Sequence, residues 1–446
     1  AARDFSPILR LVDQPNVLLV HLDLPAEPAA LLDWMRANPP LMGTNWASML
    51  ELAFRSLSWL WALHLFAGAA GGDDDYPWTV DLLLGLDRQL AHVEQNLSRY
   101  FSPNTHLTGE ALALYVAGRS LPELAGSTRR SHIGRGVLLE EARRQVLEDG
   151  GHAERSAHYH RYSTDFYLLA ALTARSTGDP AAARFEEAAR RQAEYLRAIT
   201  DAAGRLPLLG DDDGGMLFPI CGRAASDCRD TLATAAAVLD RPSLAVGSAP
   251  EETIWFCGRT VEPDRSFVPS SRALSDSGYY VSRTADGDHL IFDAGRHGYL
   301  NGGHAHADAL SIVLTAAGCP LLVDAGTATY TMDPAARDRF RSTAMHNTVV
   351  VGGRPQSRMR GPFHWATRAD ARCAVWTSAP RFDYAEGFHD GYAPVRHRRR
   401  PAGSYLRSLV RPAGSPRSQS AAANAGNDGA GAAPTDEVVA GDGERR

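Results

Sequence analysis

Residues 278–294, GYYVSRTADGDHLIFDA, contain two runs of β-branched and aromatic residues on either side of a short polar turn. Runs of this length that are bounded by Asp and Gly favour paired β-strands. Similar runs follow along the chain: ALSIVLT (309–315), PLLVDAG (320–326), HNTVVVGG (346–353) and RCAVWTS (372–378). The sequence therefore predicts an antiparallel β-sheet domain, sandwich-like, over residues 246–398.

The sequence before this region has a different period. Apolar residues recur at three- and four-residue spacing between Gly, Pro, Asp or Asn breaks, which is typical of amphipathic helices. Helices are predicted at residues 29–36, 46–67, 80–100, 105–117, 135–147, 157–176, 180–199 and 227–239. Such helices can pair as hairpins in a bundle, a solenoid or an α/α toroid, and periodicity does not choose among these three arrangements.

Length and composition bound the class of protein. The chain has 446 residues, more than one hydrophobic core usually supports, so we expect an α+β multidomain protein with a helical domain at residues 1–245. The formal net charge is −6 and no long basic stripe precedes the C-terminus, which argues against a nucleic-acid partner. Lysine is absent, which excludes Schiff-base and P-loop lysine chemistry. The five cysteines are irregularly spaced and do not predict a disulfide framework.

Two further stretches have distinct compositions. The most apolar stretch, residues 52–70, contains Arg55 and His64, so we interpret it as a buried helix and predict no transmembrane segment. Residues 399–446 are rich in Ser, Ala, Gly and Asn and are predicted to form a disordered low-complexity tail. The arginine run 398–400 is either a solvated charge cluster or a contact for an anionic glycan.

The densest group of metal-ligating and titratable residues is GGHAHAD (302–308). Its His304, His306 and Asp308 alternate, so on a strand they would project to one face of the sheet. Asp324 and His346 follow in the next apolar runs. Two histidines and a carboxylate suit a zinc-like divalent ion, although this spacing is not a general zinc motif.

Two loops in the helical half also carry candidate residues. SPNTHLTGE (102–110) places Asn104, His106 and Glu110 at a helix start, where helix capping by Asn104 is an alternative to a role in binding. DDDGG (211–215) lacks the ligand spacing of an EF-hand calcium loop and is predicted to be a turn.

The segment HAERSAHYHRY (152–162) surrounds one tyrosine with cationic or potentially cationic side chains. Tyr159 lies between His158 and His160, and Arg155 and Arg161 are close in sequence. Nearby cations favour the charged form of a phenol, so Tyr159 is predicted to lose its proton more easily than an ordinary tyrosine.

Six segments together resemble the heparinase II/III family, and they occur in the family's order. They are NWASMLELAFRSLSWLWA (45–62), SPNTHLTGEA (102–111), DGGHAERSAHYHR (149–161), GHAHADALS (303–311), LVDAGT (322–327) and RSTAMHNTVVVG (341–352). The resemblance implies an α/α toroid followed by an antiparallel β-sheet domain. It also implies a polysaccharide lyase that cleaves a glycosaminoglycan-like or alginate-like polymer by β-elimination, which leaves 4,5-unsaturated uronate ends.

The same resemblance implies roles for matching residues. Tyr159 and His304 would be the acid and base of catalysis, without a decision as to which is which. Asn104 and His106 would lie near the substrate carboxylate, and either can hold that role because the family varies in this motif. Further candidates for substrate binding are Arg155, Glu110 and Tyr330.

The resemblance also implies a cofactor, a partner and a location. His306, Asp324 and His346 match the family's metal-binding positions, which implies a structural divalent ion, zinc first, with manganese or calcium as alternatives. The partner would be an anionic polysaccharide, and the oligomeric state stays open, a homodimer being one option. Family members are periplasmic or secreted, whereas no signal peptide is predicted from residue 1 onward, so a cytoplasmic location also stays open.

Two other functions stay open at this point. A glycoside hydrolase on an α/α toroid would need two carboxylic acids, for which Glu110, Glu154 and Asp165 are candidates. A non-catalytic glycan-binding or envelope polysaccharide protein is favoured by the C-terminal sequence, which leaves the family pattern after about Arg400. We therefore also expect a truncated β domain.

Overall fold

The chain folds into two compact units. The computed structural model describes residues 28–69, 77–217, 222–248, 250–401 and 435–440. The helical unit consists of Ala1–Ala153, His158–Arg197 and Asp212–Arg265, and the sheet unit consists of Glu154–Ala157, Ala198–Asp211 and Ser266–Arg446. Two short segments among the helices, 154–157 and 198–211, thus belong to the sheet unit.

All eight predicted helices are present, and their ends are shifted by a few residues in most cases. They are α1 (Pro28–Ala37), α2 (Met49–Ala69), α3 (Pro77–Gln95), α4 (Thr105–Ser120), α5 (Ser127–Gln145), α6 (Ala157–Ser176), α7 (Ala182–Ile199) and α8 (Arg229–Leu239). Helix α5 begins eight residues before the predicted start, because its first two turns, STRRSHIG, contain little apolar sequence to reveal it. Among the described residues, no helix is both long and apolar enough to cross a bilayer.

A ninth helix, α9 (Glu251–Cys257), was not predicted from the sequence. Its Phe256 ring packs edge to face on Trp61 of α2 with centroids 5.2 Å apart. The hydroxyls of Thr253 and Thr234 lie 3.2 Å apart, which joins α9 to α8. The helical unit consequently extends to Arg265, and the predicted domain boundary at residue 245 is wrong.

Helix α7 shows how apolar spacing builds the helical core. Phe185, Ala189, Ala193 and Leu196 recur every three or four residues, and all four are fully buried. Residues at this spacing share one face of a helix. Burial of a side chain the size of Phe or Leu stabilises a fold by about 1.5–3 kcal/mol, so this face fixes how α7 packs.

Helices α4 and α5 approach each other closely at two glycines. A Cβ atom on Gly134 of α5 would lie 2.5 Å from the carbonyl oxygen of Ala111 and 2.6 Å from the backbone nitrogen of Tyr115. A Cβ atom on Gly118 of α4 would lie 2.6 Å from the carbonyl oxygen of Ser127. Real side chains do not approach backbone atoms this closely, so the contact requires glycine at both positions.

The sheet unit contains three antiparallel sheets in its described residues. The first has the order β1-β2-β3-β4-β5, the second β11-β10-β9-β8, and the third pairs β6 with β7. The strands are β1 (Arg272–Leu274), β2 (Tyr279–Arg283), β3 (His289–Asp293), β4 (Ile312–Ala316), β5 (Cys319–Leu322), β6 (Arg358–Gly361), β7 (His364–Thr367), β8 (Arg372–Ala379), β9 (Phe382–Tyr392), β10 (Val395–Arg400) and β11 (Thr435–Ala440). A short helix, α10 (Pro334–Phe340), lies between β5 and β6 in the sequence.

Two segments that were predicted as strands are irregular. The GGHAHAD segment (302–308) forms turns and loop, so the predicted alternation on one face of a strand is wrong. The HNTVVVGG segment (346–353) has only an isolated bridge between Val351 and Arg354. Side chains take the place of a backbone ladder here, since the Asn347 amide donates to the carbonyl oxygens of Ile312 and Val323 at 2.9 Å.

The predicted disordered tail begins too early. Residues 399 and 400 belong to β10, and Thr435–Ala440 forms β11, which pairs antiparallel with β10. Arg398 and Arg400 of the arginine run lie 3.4 and 3.1 Å from the Glu386 carboxylate, so the run is partly neutralised within the sheet. The rest of the predicted tail, residues 402–434 and 441–446, lies outside the described residues.

The glycine contact between α4 and α5 yields a paired test. We expect Gly134→Ala to destabilise the helical unit by about 1–3 kcal/mol, because the added methyl group overlaps the α4 backbone. Gly136→Ala is the matched control: it lies two residues away on α5, is exposed and has no atom within 4 Å of the added Cβ. It should stabilise the protein by roughly 0.5–1 kcal/mol. Equal thermal unfolding midpoints for the two variants would contradict the close approach.

Candidate active site and metal centre

Asn104 caps helix α4. Its Oδ1 atom accepts a hydrogen bond from the backbone N–H of His106 at 3.0 Å, and its backbone carbonyl oxygen accepts from Thr108 N–H at 3.2 Å. The capping interpretation of the NTH motif is thereby confirmed. The cap holds Asn104 and His106 together at the N-terminal end of a helix, where the helix dipole favours an anion. Their predicted role at a substrate carboxylate stays a prediction.

Glu110 lies inside the helical unit with none of its surface exposed. Its carboxylate accepts hydrogen bonds from the backbone N–H and the hydroxyl of Ser98, at 2.7 and 2.6 Å. Burial raises the pKa of Glu110 to about 7, against the effect of these two bonds. Glu110 thus fixes the loop before α4, and its predicted contact with substrate is not supported.

Tyr159 lies on the first turn of α6, and only 6% of its surface is exposed. Its hydroxyl donates to the Oδ2 atom of Asp213 at 3.3 Å, and its ring stacks on that of Tyr162. The cations that were predicted to surround it have other partners. The His160 Nε2 atom lies 2.9 Å from the Gln192 carbonyl oxygen, and the Nη2 atom of Arg161 donates to both carboxylate oxygens of Asp230 at 2.8 Å.

His158, the neighbour of Tyr159, is almost fully buried between two carboxylates. Its Nδ1 lies 3.2 Å from Asp212 and its Nε2 lies 2.9 Å from Asp213. These three side chains form a group that can hold a cation. The DDDGG segment is a turn, as predicted, since Gly214 and Gly215 N–H donate to the side chains of Asp212 and Asp213.

In the sheet unit, His304 has a carboxylate at each ring nitrogen. Its Nδ1 lies 3.1 Å from Oδ2 of Asp211, and its Nε2 lies 3.2 Å from Oε2 of Glu154. Both carboxylates are almost fully buried. This arrangement fixes the plane of the imidazole ring and places hydrogen-bond acceptors on both sides of it.

Asp211 is the acidic residue that the sequence analysis missed. None of its surface is exposed, and it also accepts from His306 Nε2 at 2.9 Å, from the Thr327 hydroxyl at 3.0 Å and from both terminal nitrogens of Arg337. Burial disfavours its charge, but the hydrogen bonds from His304, His306 and Arg337 hold the pKa of Asp211 well below its usual range. The carboxylate is therefore ionised and acts only as an acceptor.

His306, Asp324 and His346 form a buried group that can hold a metal ion. The Nδ1 atom of His346 lies 2.7 Å from Oδ2 of Asp324. Two further ring nitrogens, Nδ1 of His306 and Nε2 of His346, are buried without a hydrogen-bond partner among the described residues. Unpartnered buried imidazole nitrogens in one group are what a bound cation would satisfy, so the predicted ligand set fits a metal.

Arg155 and Tyr330 have neighbours within the sheet unit. The Arg155 guanidinium donates to the carbonyl oxygens of Ser277 at 2.6 Å and Asp276 at 2.9 Å, so it binds the turn before β2. Because the guanidinium already binds these two carbonyl oxygens, the structure gives no support to the predicted role of Arg155 in substrate binding. The Arg337 guanidinium lies over the Tyr330 ring, with its carbon atom 4.9 Å from the ring centroid. The centroids of the Tyr330 and His304 rings are 6.3 Å apart.

Comparisons with known proteins follow the same division of the chain. The family model described as Heparinase II/III N-terminus matches residues 29–213, and the model described as Heparinase II/III-like, C-terminal, matches residues 268–407. The chain is also similar to a heparin-sulfate lyase of Bacteroides thetaiotaomicron, with 28% identity over 173 residues, or 38% of this chain and 24% of that protein.

Two solved structures share the fold. A heparinase III structure matches with a TM-score of 0.63 and 19% identity, over 84% of this chain and 56% of that chain. The heparan sulfate lyase HepC from Pedobacter heparinus matches with a TM-score of 0.56 and 22% identity, over 84% of this chain and 55% of that chain. The predicted fold class, helical toroid followed by antiparallel sheet, is confirmed. The chain spans about half the length of these two solved structures.

The buried Glu110 carboxyl predicts a dependence of stability on pH. Because its pKa is raised in the folded protein, Glu110 contributes stability below pH 4.5, and this contribution is lost as the pH rises through about 7. We expect the unfolding free energy of wild type to fall relative to Glu110→Gln between these values, by about 3 kcal/mol at most. Glu148→Gln, which alters an exposed carboxyl, should follow wild type. Parallel curves for wild type and Glu110→Gln would refute a buried carboxyl at this position.

Proposed function

This chain belongs to the heparinase II/III family, and from that membership we propose that it is a polysaccharide lyase acting on a uronate-containing glycosaminoglycan. The observation that carries the proposal is the setting of Tyr159 and His304. Each matches a family position for acid and base catalysis, and each side chain is mostly buried. The Tyr159 hydroxyl contacts the Asp213 carboxylate, and a ring nitrogen of His304 contacts the Asp211 carboxylate. Groups held in this way are prepared for proton transfer.

Elimination at a uronate needs three functions. The charge of the substrate carboxylate must be neutralised, because only then is the C5 proton acidic enough to leave. A base then takes the C5 proton while an acid gives a proton to O4 as the C4–O4 bond breaks. The electron pair of the C5–H bond becomes the C4–C5 double bond, which is the unsaturated end.

Asn104 and His106 suit the first of these functions. Because Oδ1 of Asn104 accepts from the His106 backbone, the other polar group of this amide is an NH2 donor, which complements a carboxylate. The N-terminal end of helix α4 adds partial positive charge at the same position. We assign the substrate carboxylate to this end of α4.

Tyr159 and His304 suit the proton transfers. The Tyr159 hydroxyl donates to Asp213, so this carboxylate can accept the phenolic proton and leave the oxygen able to take the C5 proton. The Nδ1 atom of His304 lies at Asp211 and its Nε2 atom lies at Glu154, so the protonated ring would donate to both carboxylates and could give its Nε2 proton to O4. We accordingly assign Tyr159 as the base and His304 as the acid.

We further propose that His306, Asp324 and His346 hold a structural zinc ion. Two imidazole nitrogens and a carboxylate favour zinc over calcium, which prefers oxygen ligands. The ion would supply charge and cross-linking that fix the loop around His306. In our proposal it takes no part in the proton transfers.

The hydrolase alternative has less support. Such an enzyme needs two carboxylic acids at the sugar, and the three candidates from the sequence have other partners. Glu110 is bound by Ser98, Glu154 lies at His304, and Asp165 lies 4.0 Å from Arg161. Heparin-sulfate and heparan sulfate lyases among the similar proteins favour a sulfated glycosaminoglycan over alginate as the first substrate to test.

The test of the proposed function is ultraviolet absorbance from unsaturated uronate on heparan sulfate, chondroitin sulfate and alginate. We expect a rise with a glycosaminoglycan, and a loss of roughly a hundredfold or more in kcat for Tyr159→Phe and for His304→Ala, because each change removes a proton-transfer group.

Matched controls separate loss of a group from loss of the fold. Tyr167→Phe removes a buried hydroxyl two turns along α6, and His364→Ala removes an exposed imidazole from β7; both should keep wild-type turnover. If new reducing ends form without an increase in ultraviolet absorbance, the enzyme is a hydrolase and the proposed elimination is wrong. Folded protein that is inactive on the whole panel would favour a non-catalytic glycan-binding protein.

Metal binding has its own measurement. Zinc at a hundredfold excess over its Kd should stabilise metal-free wild type by about 2.7 kcal/mol, because the ion binds only the folded site. His346→Ala should lose this stabilisation, and His132→Ala, which alters an exposed histidine of α5, should keep it. Calorimetric titration of the three proteins with zinc measures the affinities. If His346→Ala binds zinc as tightly as wild type does, the assignment of these three residues as zinc ligands is wrong.

A further inference from the structure

A single carboxylate contacts two histidines that have different assignments. Oδ2 of Asp211 lies 3.1 Å from Nδ1 of His304, and Oδ1 lies 2.9 Å from Nε2 of His306. His304 is assigned to proton transfer, and His306 is assigned to the metal. Asp211 is not among the residues matched to family positions above. It belongs to the sheet unit through the short segment 198–211, which precedes the strands in the sequence.

The contacts of Asp211 indicate which ring nitrogen of His306 bears hydrogen. Both oxygens of Asp211 accept from the Arg337 guanidinium, and Oδ1 also lies 2.9 Å from Nε2 of His306, so this nitrogen is the one that donates, which leaves a lone pair on Nδ1. That Nδ1 is the buried nitrogen without a partner among the described residues. Asp211 thus selects the tautomer of His306 that can bind a metal, as carboxylates do in many carboxylate-histidine-metal arrangements.

Further contacts hold Asp211 in place. The Arg337 guanidinium binds both of its oxygens and balances its charge, and the Thr327 hydroxyl donates to Oδ1 at 3.0 Å. The guanidinium itself lies against the rings of Tyr330 and Phe363, at 4.9 and 5.5 Å from their centroids. A carboxylate held from so many sides cannot turn toward one histidine without losing bonds to the other.

We propose that Asp211 is a positioning residue that couples the metal centre to His304. A cation on Nδ1 of His306 fixes that ring, the ring fixes Oδ1 of Asp211, and Oδ2 then fixes the plane of His304. Metal occupancy and the orientation of His304 are therefore linked through one side chain. The inference rests on the proposed function for the role of His304, whereas the link itself is a property of the sheet unit.

The matched pair of variants is Asp211→Asn and Glu154→Gln. Both replace a buried carboxylate at His304 by an amide, but only Asp211 also touches His306. Asp211→Asn should weaken zinc binding roughly 10–100-fold and lower kcat tenfold or more, with KM nearly unchanged. Glu154→Gln should lower kcat and keep the zinc affinity of wild type. Zinc affinity is measured by competition with a chromophoric chelator.

A spectroscopic measurement follows the link without substrate. In protein with ¹⁵N-labelled histidine, adding zinc to the metal-free wild type should shift the ring nitrogens of His304 as well as those of His306 and His346. His304→Ala identifies the first set of signals. In Asp211→Asn the His304 signals should no longer respond to zinc. A wild type in which zinc leaves His304 unshifted would overturn the coupling.

Loss of the charge partner of Arg337 can unfold Asp211→Asn, so a second variant is needed. In Asp211→Asn with Arg337→Gln the buried pair is neutral, and this double variant should also bind zinc more weakly. Asp230→Asn, which breaks another buried ion pair, that of Asp230 with Arg161, should keep wild-type zinc affinity. Wild-type zinc affinity in folded protein lacking the Asp211 carboxylate would overturn the proposal.

The zinc and ¹⁵N measurements also separate this inference from the proposed function. An inactive wild type whose His304 signals respond to zinc through Asp211 would refute the lyase and support the coupling. An active wild type whose kcat falls equally in both carboxylate variants, with zinc affinity unchanged in each, would support the lyase and overturn the coupling.

Discussion

A carboxylate with no contact to water stays ionised only if its charge and every lone pair are matched by donors. Asp211 meets this condition through Arg337, Thr327 and the two histidines of the HAH motif. The requirement acts in both directions, because each donor is also fixed by the anion that it serves. The positions of His304 and of His306, one of the three candidate metal ligands, depend on this one buried charge.

The helices were predictable because their information is local. Apolar spacing on α7, for example, is visible in the sequence and is buried on one face in the fold. Strand β9 was missed for the opposite reason: its inward residues include Asp383, Gly387 and His389, which are polar or small, so alternation gave no apolar signal. Asp383 is matched by the Ser271 hydroxyl at 2.8 Å, a partner more than a hundred residues away. Only tertiary structure reveals such a strand.

The candidate site divides in the same way. Tyr159, His304 and the three metal-ligand candidates were proposed from the sequence because the motifs that contain them resemble those of the heparinase II/III family. Glu154 was considered only as a possible hydrolase acid and Asp211 only as part of a turn, because their contacts with His304 span long stretches of sequence. The DDDGG segment has the composition of a turn and does form one. Nothing in that composition distinguishes Asp211 from the two aspartates after it, which belong to the other unit.

The sheet unit includes two short segments, 154–157 and 198–211, that precede its main part, which begins at residue 266. The two carboxylates at His304, those of Glu154 and Asp211, both belong to these short segments. The sheet unit is therefore not a module that evolution could move by copying one contiguous stretch of gene. A recombinant fragment that starts at residue 266 would carry every predicted metal ligand and His304, yet neither of the acids that hold His304 in place. Inheritance of this site requires both halves of the sequence together.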